Sequence, residues 1–245
     1  MTFVTAQLSN PGGRGVNQDA CGSRSLGSGV HGWVLADGLG GHDGGEVAAQ
    51  SAVRAVLAAL DHEVTVSART LQRCIEAAQS EILSRQRASE AAAALRSTVV
   101  LLLADDKEAL WAHVGDSRLY HLHEGRIVHQ TADHSLPQAL VAAGDLGFRE
   151  IRHHDDRSRL TRSLGGSGHA RPTIQERPCP SLPGDAFLLC SDGFWEYVYE
   201  TEIEADFAKA DRPDAWLAAM HERLYRRGGA AGDNYSAVAI FRVRG

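Results

Sequence analysis

No Cys-x-x-Cys pair occurs in this sequence, and its four cysteines, Cys21, Cys74, Cys179 and Cys190, stand far apart. That spacing excludes a zinc knuckle and offers no disulfide framework, so the chain reads as one made for a reducing compartment. Long apolar runs are also lacking. The longest, Val99–Ala104, falls far short of the roughly 20 residues that span a bilayer. The opening MTFVTAQLSNPGG has neither a basic n-region nor an apolar core and does not read as a secretory signal. There is no Pro- or Ser-rich linker and no internal repeat. Positive charge is in deficit: 25 Lys and Arg against 31 Asp and Glu give a net charge of −6, which argues against a nucleic-acid or anionic-membrane partner. The chain reads as a cytoplasmic protein of one domain over residues 1–245, long enough to bury a large core without staples, and is expected to act as a monomer.

The chain supplies both strand and helix patterns. Phe3–Leu8 and Gly32–Ala36 read as strands. In Glu46–Leu60 the apolar residues Val53, Val56, Leu57 and Leu60 recur at helical spacing, and Leu71, Ile75, Ala78 and Ile82 do the same in a helix over Ala68–Ala88. Val99–Ala104 is apolar throughout, which predicts a strand covered on both faces. Ala109–Val114 and Arg118–Leu122 follow as strands, and Gly115-Asp116-Ser117 between them reads as a tight hairpin turn. Ile127–Gln130 extends the strand run, and Leu136–Ala143 is a short helix ended by Gly144. Asp145–Arg159 turns polar and reads as a surface loop or flap. Ala186–Cys190 is a strand, Asp214–Arg226 a helix, and Tyr235–Val243 a closing strand. Strands, helices, strands and helices in that order fit sheet on sheet with helices outside better than regular βαβ alternation.

Aspartates mark the strand boundaries. Asp37 ends WVLA, Asp116 follows LWAHVG, Asp192 follows AFLLCS, Asp233 precedes the last strand, and Asp19 precedes a short one. A single Asp-Gly is ordinary turn chemistry. Several carboxylates at the ends of apolar strands, with few basic residues near them in sequence, would repel one another unless a cation lay between them. An all-oxygen set favours Mg²⁺ or Mn²⁺ over zinc, and the chain has no EF-hand loop to favour calcium. Two hard cations bridged by one aspartate make a site for phosphoryl transfer or hydrolysis. The glycine-rich run from Gly38 to Gly45 then serves close backbone approach to the cations, with Gly38 lending its carbonyl. It lacks the Gly-Lys-Ser/Thr of a phosphate loop.

The motifs in order resemble the metal-dependent protein phosphatases of type 2C, in their compact bacterial branch. They are RGVNQD (Arg14–Asp19), ADGLGG (Ala36–Gly41), GGEVA (Gly44–Ala48), GDSR (Gly115–Arg118), DHS (Asp133–Ser135), LTRSLG (Leu160–Gly165), SDG (Ser191–Gly193) and Asp233-Asn234. The resemblance implies an α+β fold, a central sandwich of two antiparallel sheets flanked by helices in an αββα four-layer arrangement with the metal site at one end. It also implies hydrolysis of phosphoserine and phosphothreonine by direct attack of a metal-bridging hydroxide, with two Mn²⁺ or Mg²⁺ ions or three. It casts Asp37 as the bridging ligand, Gly38 as a carbonyl ligand of the second metal, and Asp192 and Asp233 as further ligands of the first. Asp19 is cast as holding metal-bound water. Asp116, Asp192 and Glu196 resemble the third-metal site of the bacterial members, and Arg14 is similar to the arginine that grips the substrate phosphate.

The sequence departs from the family at two places. Gln18 stands where many members have Glu, removing a negative charge near the second metal. Leu39 stands where many eukaryotic members have a histidine proposed as general acid. His42 is the candidate replacement, with a metal-bound water as the alternative. LLCSDGFWEYV and a short chain without a membrane tail resemble the stand-alone phosphatases linked to type VI secretion. There such an enzyme opposes a Ser/Thr kinase, so the partners implied are a phosphorylated protein, the kinase and its target. The competing readings are an inactive phosphoprotein-binding module of the same fold and a hydrolase of small phosphate esters.

Overall fold

The computed structural model describes residues 2–27, 29–39, 44–60 and 65–244. The chain begins with β1 (Thr2–Asn10), β2 (Asp19–Ser25) and β3 (His31–Leu39), then α1 (Gly44–Ala59) and α2 (Ala68–Ala88). A run of strands follows: β4 (Arg96–Ser97), β5 (Val99–Ala104), β6 (Glu108–Val114), β7 (Arg118–His123) and β8 (Arg126–Gln130). After α3 (Leu136–Ala143) come β9 (Thr173–Ile174), β10 (Cys179–Pro180) and β11 (Ala186–Cys190). The chain closes with α4 (Asp192–Trp195), α5 (Glu200–Phe207), α6 (Pro213–Arg226) and β12 (Tyr235–Val243). Among the described residues no helix is long and apolar enough to cross a membrane.

The strands form two antiparallel sheets. One has the order β1-β12-β11-β7-β8. The other has the order β10-β6-β5-β3-β2, with β4 paired to β3 and β9 to β6. The period-2 alternation of each strand divides its side chains between two cores. In β5, Val100, Leu102 and Ala104 point between the sheets, where they meet Leu119, Phe187, Leu189, Val238 and Ile240 of the facing sheet. Val99, Leu101 and Leu103 point the other way, onto Val56, Leu71, Ile75 and Ile82 of α1 and α2. Strand β11 divides likewise: Phe187 and Leu189 face inward, and Leu188 and Cys190 face Trp216, Met220 and Leu224 of α6. Each such side chain, fully buried, stabilises the fold by roughly 1.5–3 kcal/mol before entropy is counted. The αββα expectation holds, and it explains why Val99–Ala104 shows no polar face: both of its sides are covered.

Three local expectations change. Gly115–Ser117 is not a hairpin turn. Strand β6 pairs with β5, β9 and β10, while β7 pairs with β11 and β8, so this tripeptide carries the chain from one sheet to the other. Gly115 has φ +105, and a Cβ on it would lie 2.6 Å from Thr98 Cγ2, so the crossover is tight enough to require glycine. Asp37 is not at a strand boundary. It lies inside β3, directly opposite Asp19, the first residue of β2. The polar segment Asp145–Arg159 is more than a surface loop: Phe148–His153 forms a 3₁₀ helix whose Ile151 is buried in the α6-side core.

The registers bring one end of both sheets together. Asp19 faces Asp37, Val99 faces Val114 just before the crossover, and Cys190 faces both Arg118 and Ala237. The residues following β6 and β11 and preceding β12 therefore converge with Asp19 and Asp37 at a single rim of the sandwich.

Candidate active site

Each carboxylate at this rim is fixed by backbone. The Asp37 amide donates to Thr98 Oγ1 (2.9 Å), and its carbonyl accepts from the Thr98 amide (2.8 Å) and Ser97 Oγ (3.0 Å). Thr98 Oγ1 is in turn 2.7 Å from Ser117 Oγ across the crossover. The Gly38 amide donates to the Gln18 carbonyl (2.9 Å). A Cβ on Gly38 would come within 1.8 Å of the Gly45 carbonyl oxygen, so the first turn of α1 closes onto a position that only glycine can fill.

Asp116 is held from behind. Trp195 Nε1 donates to its carbonyl (2.9 Å). The Gly115 amide donates to His134 Nδ1 (3.1 Å), and the His134 amide donates to the Gly115 carbonyl (2.9 Å). With Nδ1 accepting, the imidazole proton sits on Nε2, facing Thr173 Oγ1 at 2.8 Å. Burial, then the charges of His113 and Arg162, push the His134 pKa down to about 3, which keeps the ring neutral and this tautomer in place. The Arg118 guanidinium lies 3.5 Å from the centroid of the Trp195 ring and makes a two-pronged ion pair with Asp133 (2.8 and 2.8 Å). Both side chains of that pair are 2% exposed.

On the facing sheet, the Gly193 amide donates to Asp192 Oδ1 (2.6 Å) and the Asn234 amide to Asp233 Oδ1 (2.8 Å). Asn234 also clamps the loop that carries Arg14. Its Nδ2 donates to the carbonyls of Pro11 and Val16 (2.9 Å each), and its Oδ1 accepts from the Gln18 amide (2.8 Å). Arg14 is exposed at the rim and pairs with Asp233 Oδ2 at 2.9 Å. Ser191 Oγ donates to Asp19 Oδ2 (2.7 Å), while Asp19 Oδ1 is buried with no hydrogen-bond partner. Glu196 accepts from Arg157 Nε at 2.7 Å.

The electrostatics confirm that these groups meet. Burial, then the charges of Asp19, Asp192 and Asp116, hold Asp37 well above the usual carboxylate range. Burial and then Asp192 and Asp133 do the same for Asp116. Burial and Asp233 raise Asp192, partly offset by a hydrogen bond from Asp37. Asp19 is pushed up to about 7, mainly by burial, against the hydrogen bonds from Ser191 and Ser236. Glu196 also rises to about 7, through burial and then Asp192. The nearest buried cation, Arg118, is committed to Asp133. Such a set is unfavourable as anions and calls for protons or cations. The partnerless Asp19 oxygen and the all-carboxylate and carbonyl donor set fit hard divalent cations. Among the described residues no three carboxylate, imidazole or thiolate groups close on one point.

Sequence reading brought Asp19, Asp37, Gly38, Asp116, Asp192, Asp233, Glu196 and Arg14 to this rim, and the structure places them there. His42 lies outside the described residues. The supporting groups Thr98, Ser117, Ser191, Asn234, the Arg118–Asp133 pair and Arg157 were not assigned roles from sequence. Ser117, Arg118, Asp133, Ser191 and Asn234 fall inside the recognised motifs, and that position was the available signal.

Carboxylates gathered at one rim, one of them with a partnerless buried oxygen, beside a cavity of ≈ 450 Å³ that Arg14 shares with Asp192, Glu196 and Asp233, suit the binding of divalent cations and a phosphate ester. The Protein phosphatase 2C family model matches residues 13–233, and the chain belongs to that family. The serine/threonine phosphatase stp of Listeria monocytogenes is 31% identical over 176 residues, covering 70% of this chain and 69% of that one. The Mycobacterium tuberculosis phosphatase PstP/Ppp superposes with TM-score 0.87 at 28% identity over all of both chains. A catalytic-domain structure of PstP in complex with two manganese ions gives 0.81 at 27%, covering 99% of each chain. PppA, described as a key regulatory component of T6SS in Pseudomonas aeruginosa, gives 0.76 at 28%, covering 98% of each chain.

Proposed function

We propose that this chain removes phosphate from phosphoserine and phosphothreonine in protein substrates. The reading rests on one observation: the exposed Arg14 guanidinium shares one cavity with Asp192, Glu196 and Asp233, at the rim where Asp19, Asp37 and Asp116 also lie. Asp37, the Gly38 carbonyl, Asp192 and Asp233 would hold two divalent cations, Mn²⁺ or Mg²⁺, with Asp19 orienting their water. When bound, such cations lower the pKa of a coordinated water and polarise the phosphoryl oxygens. The chain's own contribution is placement. Thr98 and Ser97 lock Asp37, Ser191 orients Asp19, and Asn234 fixes the loop that presents Arg14. The Arg14 fork suits a phosphate, and it pairs with Asp233 Oδ2 at 2.9 Å. Leaving-group protonation falls to His42 or to water. Glu196 is already paired with Arg157, which supports two cations over three. Residues 1–245 are taken as one catalytic domain, since the family match spans 13–233 and β1 pairs with β12 along its whole length. The likeness to PppA supports a role in type VI secretion control, with a Ser/Thr kinase and its phosphorylated target as the expected partners.

The test is phosphate release from a phosphothreonine peptide with and without Mn²⁺. Release only with the metal supports the reading, and none from folded, metal-loaded protein overturns it. Arg14→Ala is expected to raise KM about tenfold or more. Mn²⁺ affinity by calorimetry should hold or tighten, since a competitor for Asp233 is gone. Equal loss of both would refute the phosphate-binding role.

No cysteine takes part. Cys190 is buried on β11, and burial raises its thiol far above the reactive range. Cys190→Ser is therefore expected to keep kcat within about twofold. Abolished turnover in a folded, metal-binding variant would point to a thiol nucleophile.

A further inference from the structure

The cavity holding Arg14, Asp192 and Asp233 does not end at the carboxylates. It shares Arg157, Glu196 and Tyr197 with a second cavity of ≈ 570 Å³. That one shares Arg152, His153 and Tyr199 with a third of ≈ 290 Å³, which ends at Arg149 and Thr201. The three make one trough running from the carboxylate cluster along the 3₁₀ helix Phe148–His153.

The trough has built walls. Arg152 Nη2 donates to both carboxylate oxygens of Glu200 (2.7 and 2.7 Å), its Nη1 donates to the Trp195 carbonyl, and the guanidinium lies 4.7 Å from the centroid of Tyr199. Arg227 lies 4.1 Å from the same ring and pairs with Glu202. Arg157 pairs with Glu196. These three guanidiniums are neutralised in place, and buried Ile151 anchors the segment between them. Two groups on the same anchored segment, the Arg149 guanidinium and the His153 imidazole, are left over. Arg149 and His153 are both exposed, line the trough, and have no hydrogen-bond or ion-pair partner among the described residues. A positive end to a trough that opens from a phosphate-ester site fits an extended acidic chain better than a neutral or basic one.

We infer that this trough takes the polypeptide flanking the phosphorylated residue and selects acidic side chains there, with Arg149 and His153 as the specificity-determining groups; the inference rests on the phosphatase reading above. The experiment uses the full chain with Mn²⁺ and fluorescent phosphothreonine peptides carrying three glutamates, or three glutamines, on one side or the other of the phosphoresidue. Anisotropy gives Kd, and phosphate release gives kcat/KM. For one of the two flanks, the glutamate peptide is expected to bind roughly tenfold more tightly than its glutamine partner. The difference should lie in KM rather than kcat, shrink with salt, and vanish or invert in Arg149→Glu/His153→Glu. Equal Kd for every glutamate and glutamine pair, or a preference that survives the double charge reversal, overturns the inference. Tight, charge-selective binding with no phosphate release from any peptide sustains the trough and removes the phosphatase reading instead, so the two failures are separable.

Discussion

Asp192→Asn is expected to lower Mn²⁺-dependent phosphate release roughly a thousandfold and, in metal-stripped protein, to raise the melting temperature. Both effects follow from one geometry. Asp192 sits against Asp37, Asp116, Asp233 and Glu196, each of which its charge repels or perturbs. In the proposed site that charge would serve as a ligand when cations are bound, and without them it is a cost. The pH dependence has a definite sign. Asp19 has a folded pKa of about 7 against an ordinary value near 3.9 in the unfolded chain, and Asp37, Asp116 and Asp192 are raised as well. Groups raised on folding contribute stability below their unfolded pKa and lose it as pH rises through the folded value. The metal-stripped wild type should therefore melt at falling temperature from pH 5.5 to 8. The slope should be about 1.4 kcal/mol per pH unit for each proton released, and flatter in Asp192→Asn. Saturating Mn²⁺ should reverse the trend, because the cation binds the deprotonated carboxylates. A melting temperature of the metal-stripped protein that is flat or rises over this range would contradict the described cluster.

Asp133→Ala is expected to destabilise the protein by about 3–5 kcal/mol, a fall in melting temperature of roughly 10 °C or more at this chain length. It strands the Arg118 guanidinium, 2% exposed, without its two-pronged partner. The double variant Arg118→Met/Asp133→Leu should recover much of that loss, because a buried pair removed whole leaves no uncompensated charge. The pair also braces the rim. Arg118 lies on the Trp195 ring, and Trp195 holds the Asp116 carbonyl. The double variant, though stable, is therefore expected to bind Mn²⁺ more weakly than wild type. Full recovery of both stability and Mn²⁺ affinity would reduce the pair to a packing element.

Much of this was legible in residue order. Helical spacing located α1 and α2, the apolar runs located β5, β11 and β12, and the order of the aspartate motifs gave the family and most of the rim. These signals are local or sequential, and each strand or helix carries its own period. Helix α5 was not legible. Among Glu200–Phe207 only Ile203 and Phe207 are large and apolar, and its start depends on the Glu202 carboxylate accepting the Tyr199 amide rather than on a Ser, Thr, Asp or Asn cap. The segment Asp145–Arg159 read as a loop because its one buried residue, Ile151, is anchored by α6-side partners distant in sequence.

What the sequence by itself determined is the layer order, the identity of the carboxylates and the chemistry they suit, because side-chain period and residue type are properties of short stretches. What only the tertiary structure decided is which sheet each strand joins and what neutralises each charge. Glycine and aspartate at 115 and 116 look the same in a hairpin as in a crossover, and only the pairing of β6 with β5 and of β7 with β11 separates them. Asp133 reaches Arg118, Arg157 reaches Glu196, and Arg14 reaches Asp233 across 15, 39 and 219 residues of chain. Partnerships at that separation are set by how the folded chain packs, and no period in the sequence encodes them.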